Sequence, residues 1–243
     1  MKLPFFRWLL VVGLAICPAA VQAADNELTA QEKADGYVLL FNGSDLDGFR
    51  PCSTLHYSKW IVEDGAIRTC LFGGRAKYVP PGHLYTAKDY GNYVLKVDVR
   101  LPPAPKETHS GIILRVGGTP PDAEAAGLEV DIYGAGRRLG LSCTGSFRHE
   151  LRAPSKSAVK TDGDWNSFVI TVNGNRIDVE LNGEKINQLD LDEWTTAGKR
   201  PDGTVQRLTK LALKDMPRTG RIGFRDDHGS PIWYRNIKLK PLP

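Results

Sequence analysis

The chain is 243 residues long, 41% hydrophobic and 25% charged, with a formal net charge of +4. With no block of like charges, that balance excludes a polybasic nucleic-acid binder, and the length admits one large domain or two small ones with a real core. Residues 1–23 read as an export signal, with Lys2 and Arg7 as the basic region, Leu9 to Ile16 as the apolar core and Val21-Gln22-Ala23 as a cleavage site. The apolar run is shorter than the ~20 residues a bilayer span needs. The expected mature chain is therefore exported, periplasmic or secreted, with no membrane attachment. Of the cysteines beyond the signal, Cys52 and Cys70 are the favoured disulfide pair, flanking one hairpin, with Cys143 left over; the other pairings stay open. No Cys/His spacing resembles a zinc site.

In chain order, residues 24–36 form a polar lead-in with a helical turn near Glu27 to Lys33. Tyr37 to Phe41 reads as a strand ending at the turn Asn42-Gly43. Trp60 to Arg68 reads as a hairpin closed by Asp64-Gly65. Asn92 to Arg100 alternates, with Tyr93, Leu95, Val97 and Val99 on one face and Lys96, Asp98 and Arg100 on the other, the pattern of an antiparallel strand with one wet face. His109 to Arg115 and Gly127 to Tyr133 are further strands, and a Gly- and Arg-rich loop follows at 134–148. Trp165 to Val172 and Arg176 to Leu181, punctuated by Asn173-Gly174 and Asn182-Gly183, form a meander. Residues 189–216 read as an insertion with a short helix near Leu208 to Lys214, and Gly220 to Phe224 and Ile232 to Leu239 close the chain. About a dozen short strands with hardly any helix predict an all-β fold, a two-sheet antiparallel jelly-roll sandwich.

The strand period of two places Glu129 and Asp131 on one face, ~6–7 Å apart, and gives His109, Gly111, Ile113 and Arg115 a common face on the neighbouring segment. If the two strands pair, two carboxylates, a guanidinium and an imidazole share a sheet face, an expensive gathering unless solvent or a ligand meets them there. The plain alternative is a solvated face with a Glu129–Arg115 ion pair. Glu129 and Asp131 also form a hard-oxygen pair that would suit a divalent cation such as Ca²⁺. Trp60, Trp165 and Trp233 lie within strand patterns and are expected in the core, which leaves Trp194, in the insertion, to stack on a pyranose ring. The stretch Arg225-Asp-Asp-His-Gly229 supplies Arg225 and Asp227 as substrate-binding candidates and His228 as a catalytic one, the plain reading being a turn that these residues cap.

Leu40-Phe-Asn-Gly-Ser-Asp-Leu-Asp-Gly-Phe49, Trp60-x-Val-x-Asp-Gly65, Ser110-Gly-Ile-x-x-Arg115, Gly127-Leu-Glu-Val130, Gly163-Asp-Trp-Asn166, Leu181-Asn-Gly183 and Trp233-Tyr-Arg-Asn-Ile237 occur in this order. Together they closely resemble the bacterial 3-keto-disaccharide hydrolase domain, over residues 37–241. The resemblance implies the concanavalin A-like lectin/glucanase fold and a glycoside substrate carrying a ketone at C3. The chain departs from the family pattern at His109, where Asn is usual, and at Asp131, where Gln is usual. Glu129-Val-Asp131 also resembles part of the laminarinase motif Glu-x-Asp-x-x-Glu, but Gly134 stands where that motif has its acid/base Glu. A retaining mechanism needs two carboxyls about 5–5.5 Å apart, so ordinary glucanase chemistry is disfavoured.

A C3 ketone acidifies the C2 proton, which lets the glycosidic bond break by elimination followed by hydration. That route needs a base, a cationic enolate stabiliser and an acid. Glu129 is the expected base, Arg115 or a bound cation the stabiliser, and His109 or His228 the acid. The sugar must be oxidised beforehand by a separate dehydrogenase, since no Gly-x-Gly-x-x-Gly follows a strand here. The competing reading is a non-catalytic, lectin-like carbohydrate-binding module.

Overall fold

The structure, a computed structural model, describes residues 24–51, 58–71, 82–103, 108–117, 127–134, 138–149, 151–208, 210–226 and 231–243. The export signal, the Cys52 side of the expected disulfide, Asp227 and His228 lie outside these residues, and of Cys70 only the backbone is described. The strands are β1 (Val38–Leu39), β2 (Phe49–Pro51), β3 (Ser58–Glu63), β4 (Ala66–Leu71), β5 (Leu84–Thr86), β6 (Tyr93–Arg100), β7 (His109–Val116), β8 (Leu128–Tyr133), β9 (Trp165–Asn173), β10 (Arg176–Leu181), β11 (Glu184–Asp190), β12 (Arg221–Phe224) and β13 (Trp233–Pro241). They form an eight-stranded antiparallel sheet in the order β11-β10-β9-β6-β13-β4-β3, with β1 beside β13, and a five-stranded sheet in the order β2-β5-β12-β7-β8. This is the expected two-sheet jelly-roll sandwich. No helix among the described residues is long and apolar enough to cross a membrane.

Alternation builds the core. Along β6 every odd residue is buried, and Tyr93, Leu95, Val97 and Val99 face Ile112, Leu114, Leu128, Val130 and Ile132 of the smaller sheet in one continuous apolar cluster. Each such side chain contributes about 1.5–3 kcal/mol on burial, and this anchors β7 and β8. Turn chemistry sets the hairpins: Asp64 and Gly65, both at positive φ, close β3–β4, and Asn182 and Gly183 do the same for β10–β11. Trp60 belongs to the core, as expected. Trp165 and Trp233 do not: they are half-buried on the outward face of the larger sheet, with the Arg100 guanidinium 4.9 Å and 4.7 Å from their respective ring centroids. A tryptophan on a two-faced strand reads as core by its hydrophobicity, yet here cross-strand arginines cover it.

The lead-in helix α1 (Ala30–Ala34) is fixed by a capping box in which Thr29 Oγ1 accepts from the Glu32 N–H and Glu32 accepts from the Thr29 N–H. Glu32 also accepts from Lys96 at 2.9 Å and Lys238 at 2.8 Å, joining α1 to the outer face of the larger sheet. Burial alone would push this carboxyl up, but the bonds from Lys238, Lys96 and Thr29 outweigh it and hold the pKa at about 2, against the ordinary 4.5. A depressed pKa stabilises the fold above pH 4.5 and loses that contribution as pH falls through 2. Glu32→Gln is therefore expected to destabilise the fold at pH 7 by about 1–3 kcal/mol, and the gap should narrow below pH 4.5. Urea unfolding of both proteins at pH 7 and pH 3 checks this; an equal gap at both values would sink the assignment.

Candidate active site

β7 and β8 pair antiparallel with Gly111 opposite Asp131, Ile113 opposite Glu129 and His109 opposite Tyr133. Ile112, Leu114, Val130 and Ile132 go to the core, and His109, Glu129 and Asp131 go to the other face, as the alternation requires. Gly111 makes the arrangement possible: a Cβ there would lie 2.2 Å from Glu129 Oε1. The His109 ring stacks on Tyr133 with centroids 4.1 Å apart, and its Nε2 lies 3.1 Å from Asp131 Oδ1.

Arg115 does not join them. Between Ile113 and Val116 the register with β12 shifts, so that two residues of β7 oppose one of β12, and Arg115 takes a left-handed φ of 55°. A bulge of this kind inverts the facing of every later residue on its strand. Val116 therefore shares the outer face with Ile113, and Arg115 is buried beside the inward-facing Tyr93. Among the described residues its guanidinium nitrogens meet no hydrogen-bond acceptor. Trp194 is likewise no sugar platform: it is 2% exposed, packed in the core. Cys143 is buried, and its Sγ donates to the Gly140 carbonyl at 3.1 Å.

The cations that serve the site come from elsewhere. Arg225, expected as a substrate ligand, follows β12 and donates from Nη1 to Glu129 Oε2 at 3.2 Å. Its backbone N–H bonds to the Gly111 carbonyl at 2.9 Å, and its carbonyl accepts from Ser110 Oγ at 2.7 Å. Arg148, overlooked in the sequence, reaches Glu129 and Asp131, each at 3.3 Å. It arrives on a strip that runs along β8, where the Asp131 N–H donates to Ser146 O, the Gly145 N–H to Asp131 O and the Arg148 N–H to Glu129 O, each at 2.9 Å. Phe147 of this strip points into the core and Ser146 Oγ donates to Asp131 Oδ2 at 3.1 Å. The only sequence hint of Arg148 was the Gly- and Arg-rich composition of the loop. Asp226, read as a turn cap, is buried, with its backbone N–H donating to His83 Nδ1 and its Oδ2 accepting from the Gly82 N–H, both at 3.1 Å.

Glu129 is 6% exposed. Burial pushes its carboxyl up, Arg225 pulls it down, Asp131 adds to the rise and Arg148 opposes it, which leaves the pKa at about 7. Burial outweighs the Asp131 contact at His109 and lowers its pKa, so the ring is neutral near pH 7. Arg148 Nη1 lies 2.7 Å from the same Nε2 that faces Asp131. One nitrogen of a neutral ring cannot both donate to Asp131 and accept from Arg148. His109, Glu129 and Asp131 each offer a ligand atom, all within 4.8 Å of one another.

The family profile of the 3-keto-alpha-glucoside-1,2-lyase-like domain matches residues 36–240. A 3-keto-disaccharide hydrolase from Bacteroides thetaiotaomicron is 26% identical, with the match covering 92% of this chain and 84% of that protein. A crystal structure of a candidate glycosyl hydrolase from Parabacteroides distasonis superposes with a TM-score of 0.69 at 26% identity, covering 90% of this chain and 100% of that one. A second from the same organism gives 0.68 at 25% identity, covering 85% and 99%.

Gly111→Ala is expected to preserve the sheet while forcing the Glu129 carboxyl off Arg225 towards solvent. Carboxyl-carbon NMR should then show the Glu129 midpoint fall from about 7 towards the ordinary 4.5. An unchanged midpoint would show that Gly111 does not shape the site.

Proposed function

Because the chain belongs to the 3-keto-alpha-glucoside-1,2-lyase-like family, we propose that it cleaves glycosides already oxidised to a ketone at C3, by elimination and hydration. What carries this reading is Glu129, a buried carboxyl with a pKa of about 7, flanked by two guanidiniums. A base works best when its pKa lies near the working pH. In the proposed sequence Glu129 takes the C2 proton and the electron pair moves into the enolate. Arg225 and Arg148 stabilise the C3 oxygen in place of Arg115, which the bulge removes. The pair then returns to form the C1–C2 double bond as the C1–O bond breaks. Protonated Glu129 hands its proton to the departing oxygen, and water adds at C1. His109, held neutral, is better suited to accept a hydrogen bond or bind a cation than to serve as the acid.

A divalent cation fits the same residues. Nε2 of His109 and the two carboxylates of Glu129 and Asp131 converge, and a shared cation would take the place of the Arg148 guanidinium, which faces His109 Nε2 at 2.7 Å and Asp131 Oδ1 at 3.3 Å. One imidazole and two carboxylates form a mixed set that suits zinc or manganese better than the all-oxygen preference of calcium. Bound there, the ion would polarise the ketone oxygen, the task otherwise left to Arg225 and Arg148. The substrate implies an upstream sugar 3-dehydrogenase, and the signal-like residues 1–23 put this protein outside the cytoplasm in this reading.

The deciding experiment is product analysis with a 3-keto-disaccharide and its unoxidised parent, each with and without EDTA. The keto sugar alone should be cleaved, with kcat/KM rising with pH through about 7 as Glu129 loses its proton. Glu129→Gln should lower kcat/KM by roughly 100- to 10,000-fold. Cleavage of the parent would restore the glucanase reading, and binding of both without cleavage would make the domain lectin-like. Loss of activity in EDTA would assign the enolate to the cation.

A further inference from the structure

Beside the carboxylate centre lies a cavity of about 170 Å³, lined by Asp131, Tyr133, Ser142, Arg148, His149 and Arg207. It has room for roughly five water-sized groups at ~30 Å³ each. Asp131 belongs to both the cavity and the reaction centre, so whatever fills the cavity is next to the bond being broken. The charges within it do not balance. The carboxylates of Glu129 and Asp131 are already matched by Arg148 and Arg225. Arg207, exposed to solvent at the rim of the cavity, is left over: among the described residues its guanidinium has no hydrogen-bond or ion-pair partner. A cation bound by the carboxylates would make the surplus larger.

The backbone on either side of Arg207 is anchored. Lys199 bridges Val205, the Arg200 N–H donates to Thr204 O at 2.8 Å, and Gly203 turns this small hairpin at φ 84°. The buried Gln206 donates its N–H to Gly198 O at 3.0 Å and accepts from the Leu208 N–H at 2.7 Å, so anchored backbone flanks Arg207 on both sides. His149, which also lines the cavity, sits at a left-handed φ of 60°, a conformation uncommon for a residue with a side chain. An unpaired guanidinium on an anchored turn, facing a polar cavity, recognises an anionic oxygen group.

We propose that this cavity is a leaving-group subsite that selects glycosides whose aglycone carries a carboxylate, with Arg207 as the charge partner and His149 as a second donor. The proposal rests on the elimination reading above. Its test compares the 2-carboxyphenyl and 4-carboxyphenyl 3-keto-glucosides with the uncharged phenyl 3-keto-glucoside in the full-length protein and in Arg207→Ala and Arg207→Glu. The ratio of kcat/KM for the better carboxylated substrate over the phenyl one should fall about tenfold in Arg207→Ala, the size of one charge-assisted hydrogen bond, and further in Arg207→Glu. Taking the ratio within each protein cancels the electronic effect of the carboxylate on the leaving group. A ratio equal in all three proteins would overturn the proposal. If no 3-keto-glucoside is cleaved, it is the elimination reading that fails, and calorimetric titration with the unoxidised carboxyphenyl and phenyl glucosides still decides the cavity. Tighter binding of the carboxylate that Arg207→Ala abolishes supports the subsite, and equal binding overturns it.

Discussion

The antiparallel register of β7 against β8, with Gly111 opposite Asp131 and Ile113 opposite Glu129, is the constraint on which the site depends. Because side chains alternate, a slip of one residue would send both carboxylates into the core and Val130 and Ile132 out of it. The register is held by the same residues that make the sandwich stable, since Ile112, Leu114, Leu128 and Val130 are all in the main apolar cluster. Core and site are thus two faces of one hydrogen-bonded ladder. The missing side chain at Gly111 lets the Glu129 carboxyl lie across β7 instead of projecting into solvent.

Placing two carboxylates within a few ångströms of each other under a covering strip of chain carries a large desolvation cost. Two guanidiniums offset it from different directions, Arg225 from the end of β12 and Arg148 from the strip along β8. The compensation is incomplete at Glu129, where burial dominates, and this leaves the carboxyl poised between its charged and neutral forms. A group balanced in this way can take up and release a proton at little cost. In the proposed reaction, the electrostatic imbalance that would be a weakness in a purely structural ion pair equips this one for proton transfer.

Much of this was legible in advance. The period-two pattern of β6, the Asn-Gly turns of the β9–β11 meander and the Asp64-Gly65 hairpin are local properties, and the sandwich follows from them. Parity alone brought His109, Glu129 and Asp131 to one face, because strands β7 and β8 are regular over those residues. The same counting failed at Arg115, because a bulge opposite Ile222 shifts the parity and is set by the approach of β12, where Gly220 packs directly on the Arg115 backbone. It failed for Trp194 as well: hydrophobic burial of the insertion against the core outweighed its appearance as a surface loop.

The sequence by itself determined the fold class, the strand faces and the carboxylate pair, since these depend on side-chain alternation and turn residues within a few positions along the chain. Only the tertiary structure decided which cations meet those carboxylates. Arg148 and Arg225 come from segments without a repeating pattern, and their places are set by backbone hydrogen bonds to strands that local sequence does not encode. A loop residue is located by what its backbone pairs with, and that partner is known only once the sheets have assembled.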